Sequence, residues 1–259
     1  MQPLLKINNL SKHYNRSAKF LSSGYRPNLG PLSFTLNQGQ TLAIVGESGS
    51  GKSTLVKMIA GLITPTSGEI YINGEPLETI SQQRKCQSIR MIFHEPSNSL
   101  NPKSTIGRIL AAPLKLNTNF SEEEIQAQIL DTLELVELLP DYLVFYPNML
   151  SNVQQHKVAL ARAMILNPDI VIADEVLASL DISLRFKIVN LLLDIQKKKG
   201  TSYIFVAHNM NLVRHMSDQI IVMQNGLIVE YNSTEAIYNS PQAECTKQLL
   251  QSHQPDYRK

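Results

Sequence analysis

Eight residues, Gly46-Glu47-Ser48-Gly49-Ser50-Gly51-Lys52-Ser53, fit the spacing G-x-x-x-x-G-K-[ST]. Glycines at such spacing let the backbone curl until several N–H groups converge on one point, and that concavity binds anions. The lysine adds a compact positive charge suited to the outer phosphates of a nucleotide, and the Ser53 hydroxyl suits Mg²⁺. Thr54 follows on the same turn. A Gly/Ser-rich turn can match this spacing by chance. Context argues otherwise: an apolar run at residues 40–45 (QTLAIV) comes before it and a helical pattern at 52–62 comes after it. A helix starting there would aim the positive end of its dipole at the same anion. The expected ligand is a nucleoside triphosphate with Mg²⁺.

Two further features belong to the same chemistry. Residues 170–175 (IVIADE) read as an apolar strand ending in two acids. Asp174 could hold Mg²⁺ through water, and Glu175 could take a proton from an attacking water as general base. Alone, the pair would equally suit ordinary surface charge. His208 follows another apolar run, 204–207 (IFVA), and a neutral imidazole there can donate one hydrogen bond to a γ-phosphate. A structural or simply exposed histidine is the plainer alternative.

The elements that must position these groups are mixed. Residues 4–10 and 32–36 alternate like strands, with a Ser/Gly/Pro/Asn-rich loop at 18–31. Strands are also expected at 69–72, 89–93, 170–173, 202–207, 220–223 and 227–230. Asn73-Gly74 and Asn225-Gly226 mark hairpins. The stretch from 96 to 167 reads as mostly helical. Ser121 and Glu124 make a capping box, and Ile125, Ile129, Leu133 and Val136 recur at helical spacing. A helix at 182–198 ends in Lys197, Lys198 and Lys199 before Gly200, where cations suit the helix dipole. The last 25 or so residues read as a helical tail.

Composition narrows the function classes. The chain has 259 residues, enough for a real core, with 43% hydrophobic and 18% charged side chains. Its 24 basic and 22 acidic residues leave a formal charge of +2, without the basic excess of a nucleic-acid binder. Two distant cysteines, Cys86 and Cys245, suggest neither a disulfide framework nor a cysteine-held metal, and a reducing compartment is expected. No apolar run approaches the ~18 residues of a membrane span, and the first ten residues lack the apolar core of a signal peptide. The chain is expected to be soluble, or bound to a membrane only through a partner.

Taken together, these motifs resemble the ATP-binding subunits of ABC transporters over residues 4–250. The resemblance implies an α/β fold: a RecA-like P-loop NTPase core with an antiparallel β subdomain and a helical insertion. It places the core at 1–94 and 168–235, the helical subdomain at 95–167 and a short tail at 236–259. Tyr14 falls where the family stacks an aromatic ring on adenine. Ser179-Leu180-Asp181 is similar to the D-loop that follows the acid pair. The run from His94 to Pro102 (HEPSNSLNP) is similar to the Q-loop of oligopeptide and dipeptide importers, and residues 146–151 (YPNMLS) match the run before their signature. The resemblance implies ATP and Mg²⁺ as ligands. It also implies a second ATPase subunit and two membrane-spanning permease subunits as partners, a secreted or periplasmic peptide-binding protein where the system imports, and no nucleic acid.

Two departures matter. The signature Leu-Ser-Gly-Gly-Gln stands here as Leu150-Ser151-Asn152-Val153-Gln154, and His94 replaces the Q-loop glutamine. Val153 is β-branched and is expected to resist backbone shapes that glycine allows. In a head-to-tail pair this chain's signature completes the partner's site, while His94 belongs to the site built on Lys52. A homodimer would carry both changes twice, which favours a heterodimer. Two rivals stay open at this point: a soluble ABC ATPase outside transport, and a subunit that binds ATP but hardly hydrolyses it.

Overall fold

The structure, a computed structural model, describes residues 2–14, 28–93 and 99–252. In chain order the strands and helices are β1 (Leu5–Lys12), β2 (Leu29–Leu36), β3 (Thr41–Gly46), α1 (Lys52–Ile59), β4 (Ser67–Ile72), β5 (Glu75–Pro76), α2 (Gln82–Ser88), β6 (Ile89–Ile92), α3 (Ile106–Asn117), α4 (Glu122–Leu135), α5 (Asn152–Met164), β7 (Ile170–Asp174), α6 (Ile182–Lys199), β8 (Ser202–Val206), α7 (Met210–Met216), β9 (Gln219–Gln224), β10 (Leu227–Ser233), α8 (Thr234–Asn239) and α9 (Glu244–Ser252). Two compact units result, one of Met1–Ile80 with Ile204–Lys259 and the other of Ser81–Tyr203.

In the first unit, β2, β1, β4 and β5 form an antiparallel sheet in that order. Leu5, Ile7 and Leu10 of β1 all point inward, although their spacing changes parity; Asn9, at φ 46°, forms the bulge that restores the face. β2 begins at Leu29, three residues before the expected start, and so takes in Pro31. Proline lacks the N–H a central strand needs, but β2 is an edge strand, where that loss is tolerated. The Asn73-Gly74 turn joins β4 to β5 with both residues at positive φ, as the hairpin signal requires.

β10, β9 and β3 lie side by side in this unit, with β9 parallel to β3 and antiparallel to β10. Every residue of β3 is buried, and α1 seals one side with Leu55, Val56, Met58 and Ile59, none of them exposed. Each such side chain contributes about 1.5–3 kcal/mol by leaving water. The helix ends at Ile59, earlier than expected, where Gly61 takes a left-handed φ of 71°.

The second unit holds a parallel pair, β6 and β7, and the bundle α3–α4–α5. The expected cap of α4 is present: Ser121 accepts from the Glu124 N–H, and Glu124 accepts from the Ser121 N–H. α2 was not foreseen; its polar sequence QQRKCQS buries no residue, so it shows no apolar periodicity, and only Ser81 as N-cap marks it. α6 ends at Gly200 in the left-handed region, as expected. Among the described residues no helix is long and apolar enough to cross a membrane.

Candidate functional site

The phosphate loop keeps the geometry its sequence calls for. Gly46 sits at φ 146°, and a Cβ there would meet the Met223 carbonyl oxygen at 2.1 Å. Both conformation and space therefore require glycine. Gly49 and Gly51 also have positive φ, 83° and 103°. The loop is braced from behind: the Gly226 N–H donates to the Ser50 carbonyl at 3.0 Å, and the Gly30 N–H to the Gly226 carbonyl at 2.8 Å. The hairpin turn Asn225-Gly226 thus serves the loop as well as the strands. Lys52 is almost wholly buried, and its Nζ donates to the Gly46 and Glu47 carbonyls, both at 2.8 Å. These bonds fix the ammonium inside the curl of the loop. No side chain caps α1, whose N-cap is Gly51, so its first N–H groups suit an anion. Ser53 and Thr54, both half-buried, stand on its first turn.

His208 lies in the same unit, exposed, just past β8. The Ala207 N–H donates to the Ile44 carbonyl at 3.4 Å, which brings the ends of β8 and β3 together. Asn209 then caps α7, accepting from the Leu212 N–H. Tyr14 is half-buried, with the Lys12 ammonium 5.8 Å from its ring centroid.

In the second unit β7 is buried throughout and delivers Asp174, 6% exposed, at its end. Glu175 follows at φ 52°. A left-handed conformation costs a non-glycine residue about 1–2 kcal/mol. Such strain persists only where the surroundings fix it, and it gathers at functional sites. Here the fixing groups come from helices. Arg185 donates to the Leu180 and Ala178 carbonyls at 2.7 and 3.0 Å, and His156 lies 3.0 Å from the Val176 carbonyl. Asp181 of the D-loop caps α6, accepting from the Leu184 N–H and the Ser183 hydroxyl.

The signature residues form a capping box. Ser151 is the N-cap of α5, its Oγ accepting from the Gln154 N–H, while Gln154 Oε1 accepts from the Ser151 N–H. Leu150, buried beneath the turn, anchors it. Asn152 and Val153 are the first residues of the helix. This corrects the expectation that Val153 is strained: its backbone is helical, a shape valine adopts readily, so the lost glycines cost no backbone conformation. What remains is bulk, with Asn152 exposed and Val153 half-buried. His94 lies outside the described residues. Ser99, where the described residues resume, is held from α5: Arg162 donates to its carbonyl at 2.6 Å and to its Oγ at 2.8 Å. Burial, with the Arg90 charge nearby, pushes the Arg162 pKa down. His156, Arg162 and Arg185 escaped the sequence reading, because a single polar residue on a helix carries no pattern that separates it from a solvated one.

The sequence model of ABC transporters matches residues 29–178. The chain belongs to the ABC transporter family. An ATP-binding protein of the putrescine export system of Escherichia coli strain K12 is 47% identical to it over 253 residues, 98% of this chain and 94% of that protein. The dipeptide transport ATP-binding protein of the same strain is 39% identical over 253 residues, covering 96% and 76%. A dimeric bacterial ABC transporter cassette of known structure superposes with a TM-score of 0.75 at 28% identity, covering 89% of this chain and 98% of that one. The fold is thus that of an ABC ATPase, and the chain is an ATP-binding, ATP-hydrolysing member of the family.

Proposed function

We propose that this chain is one of two different ATPase subunits that drive a peptide transporter from the cytoplasmic face of the bacterial inner membrane, and that polyamines are a second cargo. The observation that carries this is likeness along nearly all of this chain to ATP-binding proteins of transport systems, combined with a loop that keeps the full G-x-x-x-x-G-K-[ST] pattern. The partners are a second ATPase subunit, two permease subunits that supply the membrane spans, and, for import, a periplasmic peptide-binding protein.

The family resemblance gives each residue a task. Tyr14 stacks on the adenine. The backbone of Gly46 to Gly51, including Glu47, Ser48 and Ser50, wraps the phosphates, and Lys52 sets its charge against the β and γ oxygens. Mg²⁺ would be held by the Ser53 hydroxyl directly and by Asp174 through water, a hard oxygen donor set that suits this cation. When bound it would neutralise charge on the β and γ oxygens. Glu175 takes the proton of the attacking water. His208 donates to the γ-phosphate, and His94 takes the place of the Q-loop glutamine in the sequence. Ser151 lends its hydroxyl to the partner's nucleotide; the capping box uses that oxygen as an acceptor and leaves its proton to donate.

The test is reconstitution of the pair with its permeases in vesicles, with and without Glu175→Gln. The variant should bind ATP but lose ATPase activity about tenfold or more, as expected for loss of a general base. Labelled dipeptide should move with wild-type protein and ATP. Movement of putrescine alone would limit the cargo to polyamines. Near-intact hydrolysis in the variant would overturn the assignment of Glu175.

A further inference from the structure

His156 is a buried, titratable side chain that none of these roles uses. It is 5% exposed, one turn into α5 from Asn152 of the signature. Its Nδ1 lies 2.8 Å from the Asn152 carbonyl, and its Nε2 lies 3.0 Å from the Val176 carbonyl and 3.4 Å from the Ser179 hydroxyl. Val176 directly follows the strained Glu175, and Ser179 belongs to the D-loop. One imidazole therefore touches the start of the signature helix, the residue behind the general base, and the D-loop.

Hydrogen-bond chemistry makes this arrangement two-fold. Both carbonyls can only accept, and a neutral imidazole carries one N–H. With the proton on Nε2, the ring holds Val176 and turns a lone pair on Asn152. With the proton on Nδ1, it holds Asn152, while Nε2 accepts from Ser179 instead. In the neutral ring, the bond to the loop behind Glu175 and the bond to the signature helix thus compete for one proton. A shift of the Asn152 carbonyl would change how firmly Val176 is held. The loop from Glu175 to Leu180 runs outside the sheet; backbone turn bonds hold the Glu175 and Leu177 carbonyls, and the side chains of His156 and Arg185 hold those of Val176, Ala178 and Leu180.

We propose that His156 is a positioning residue that couples the two ATP sites of the pair: engagement of this chain's signature with the partner's nucleotide is relayed through its ring to Glu175. This rests on the reading of Glu175 as general base.

The experiment uses the assembled pair with the partner's own general-base carboxylate replaced by its amide, so that the partner's site still holds ATP against this chain's signature while only the site built on Lys52 turns over. His156→Leu, similar in bulk but without polar atoms, should lower kcat about tenfold or more, as small misplacements of a catalytic group do. KM for ATP should stay unchanged. His156→Gln keeps a donor and an acceptor, and should recover at least half of the lost kcat. A His156→Leu pair with wild-type kcat would overturn the proposal. Equal losses in the Leu and Gln variants would also overturn it, as would a rise in KM that accounts for the loss, since each points to packing alone. Glu175→Gln in the same pair separates the two readings: if it retains activity, the base assignment fails; if it is inactive while His156→Leu is not, only the coupling fails.

Discussion

At the scale of single residues, this protein distinguishes glycines that need their conformation from those that need their space as well. Gly49 has a positive φ with nothing within 4 Å of an added Cβ, whereas at Gly46 the Cβ would sit 2.1 Å from the Met223 carbonyl oxygen. Gly49→Ala should cost about 1–2 kcal/mol through backbone strain alone. Gly46→Ala must in addition push β3 from β9, and should lower the melting temperature markedly further; equal shifts in thermal denaturation would contradict this. The eight-residue motif was legible because its chemistry resides in backbone N–H groups, which only certain residue types permit. The need for space at Gly46 was not, because it depends on Met223, far along the chain.

At the scale of elements, caps decide where the functional helices start. Asp181 of the D-loop starts α6, and the Leu184 N–H first, then the Ser183 hydroxyl, hold its carboxyl below the usual carboxylate range. A carboxylate with a lowered pKa in the folded state favours folding above its unfolded pKa, near 4. That contribution disappears as pH falls through the lowered folded value. Asp181→Asn should therefore be less stable than wild type at neutral pH, and the gap should narrow below about pH 4. Melting curves across pH 3 to 7 would check this, and a constant gap would count against it. α5 teaches a complementary lesson. Its sequence reads as a damaged signature, yet Ser151 and Gln154 close a capping box that sets its start without either glycine. The start of α4 was readable from its Ser121–Glu124 cap, while α2, polar throughout, gave no periodic signal.

At the scale of the whole molecule, the proposed pairing makes the changes in the signature act on a site that this chain does not itself hold. Asn152 and Val153 carry bulk to a surface that the proposed dimer turns toward the partner's nucleotide. Asn152→Gly with Val153→Gly should raise turnover at the partner's site in the assembled pair and leave affinity at the Lys52 site unchanged. Measuring each site with the other's lysine substituted would show this. Unchanged partner-site turnover would mean that the altered signature is no handicap.

The sequence by itself determined the phosphate loop, the acid pair, the hairpin turns and the family, since each rests on residue types at short, fixed spacing. Tertiary structure decided what lies between them. It gave Glu175 its left-handed backbone, braced Ser50 with Gly226, and seated His156 of the signature helix against Val176 and the D-loop. The last two join residues 176 and 20 positions apart, and such pairings follow from packing, which local spacing does not encode.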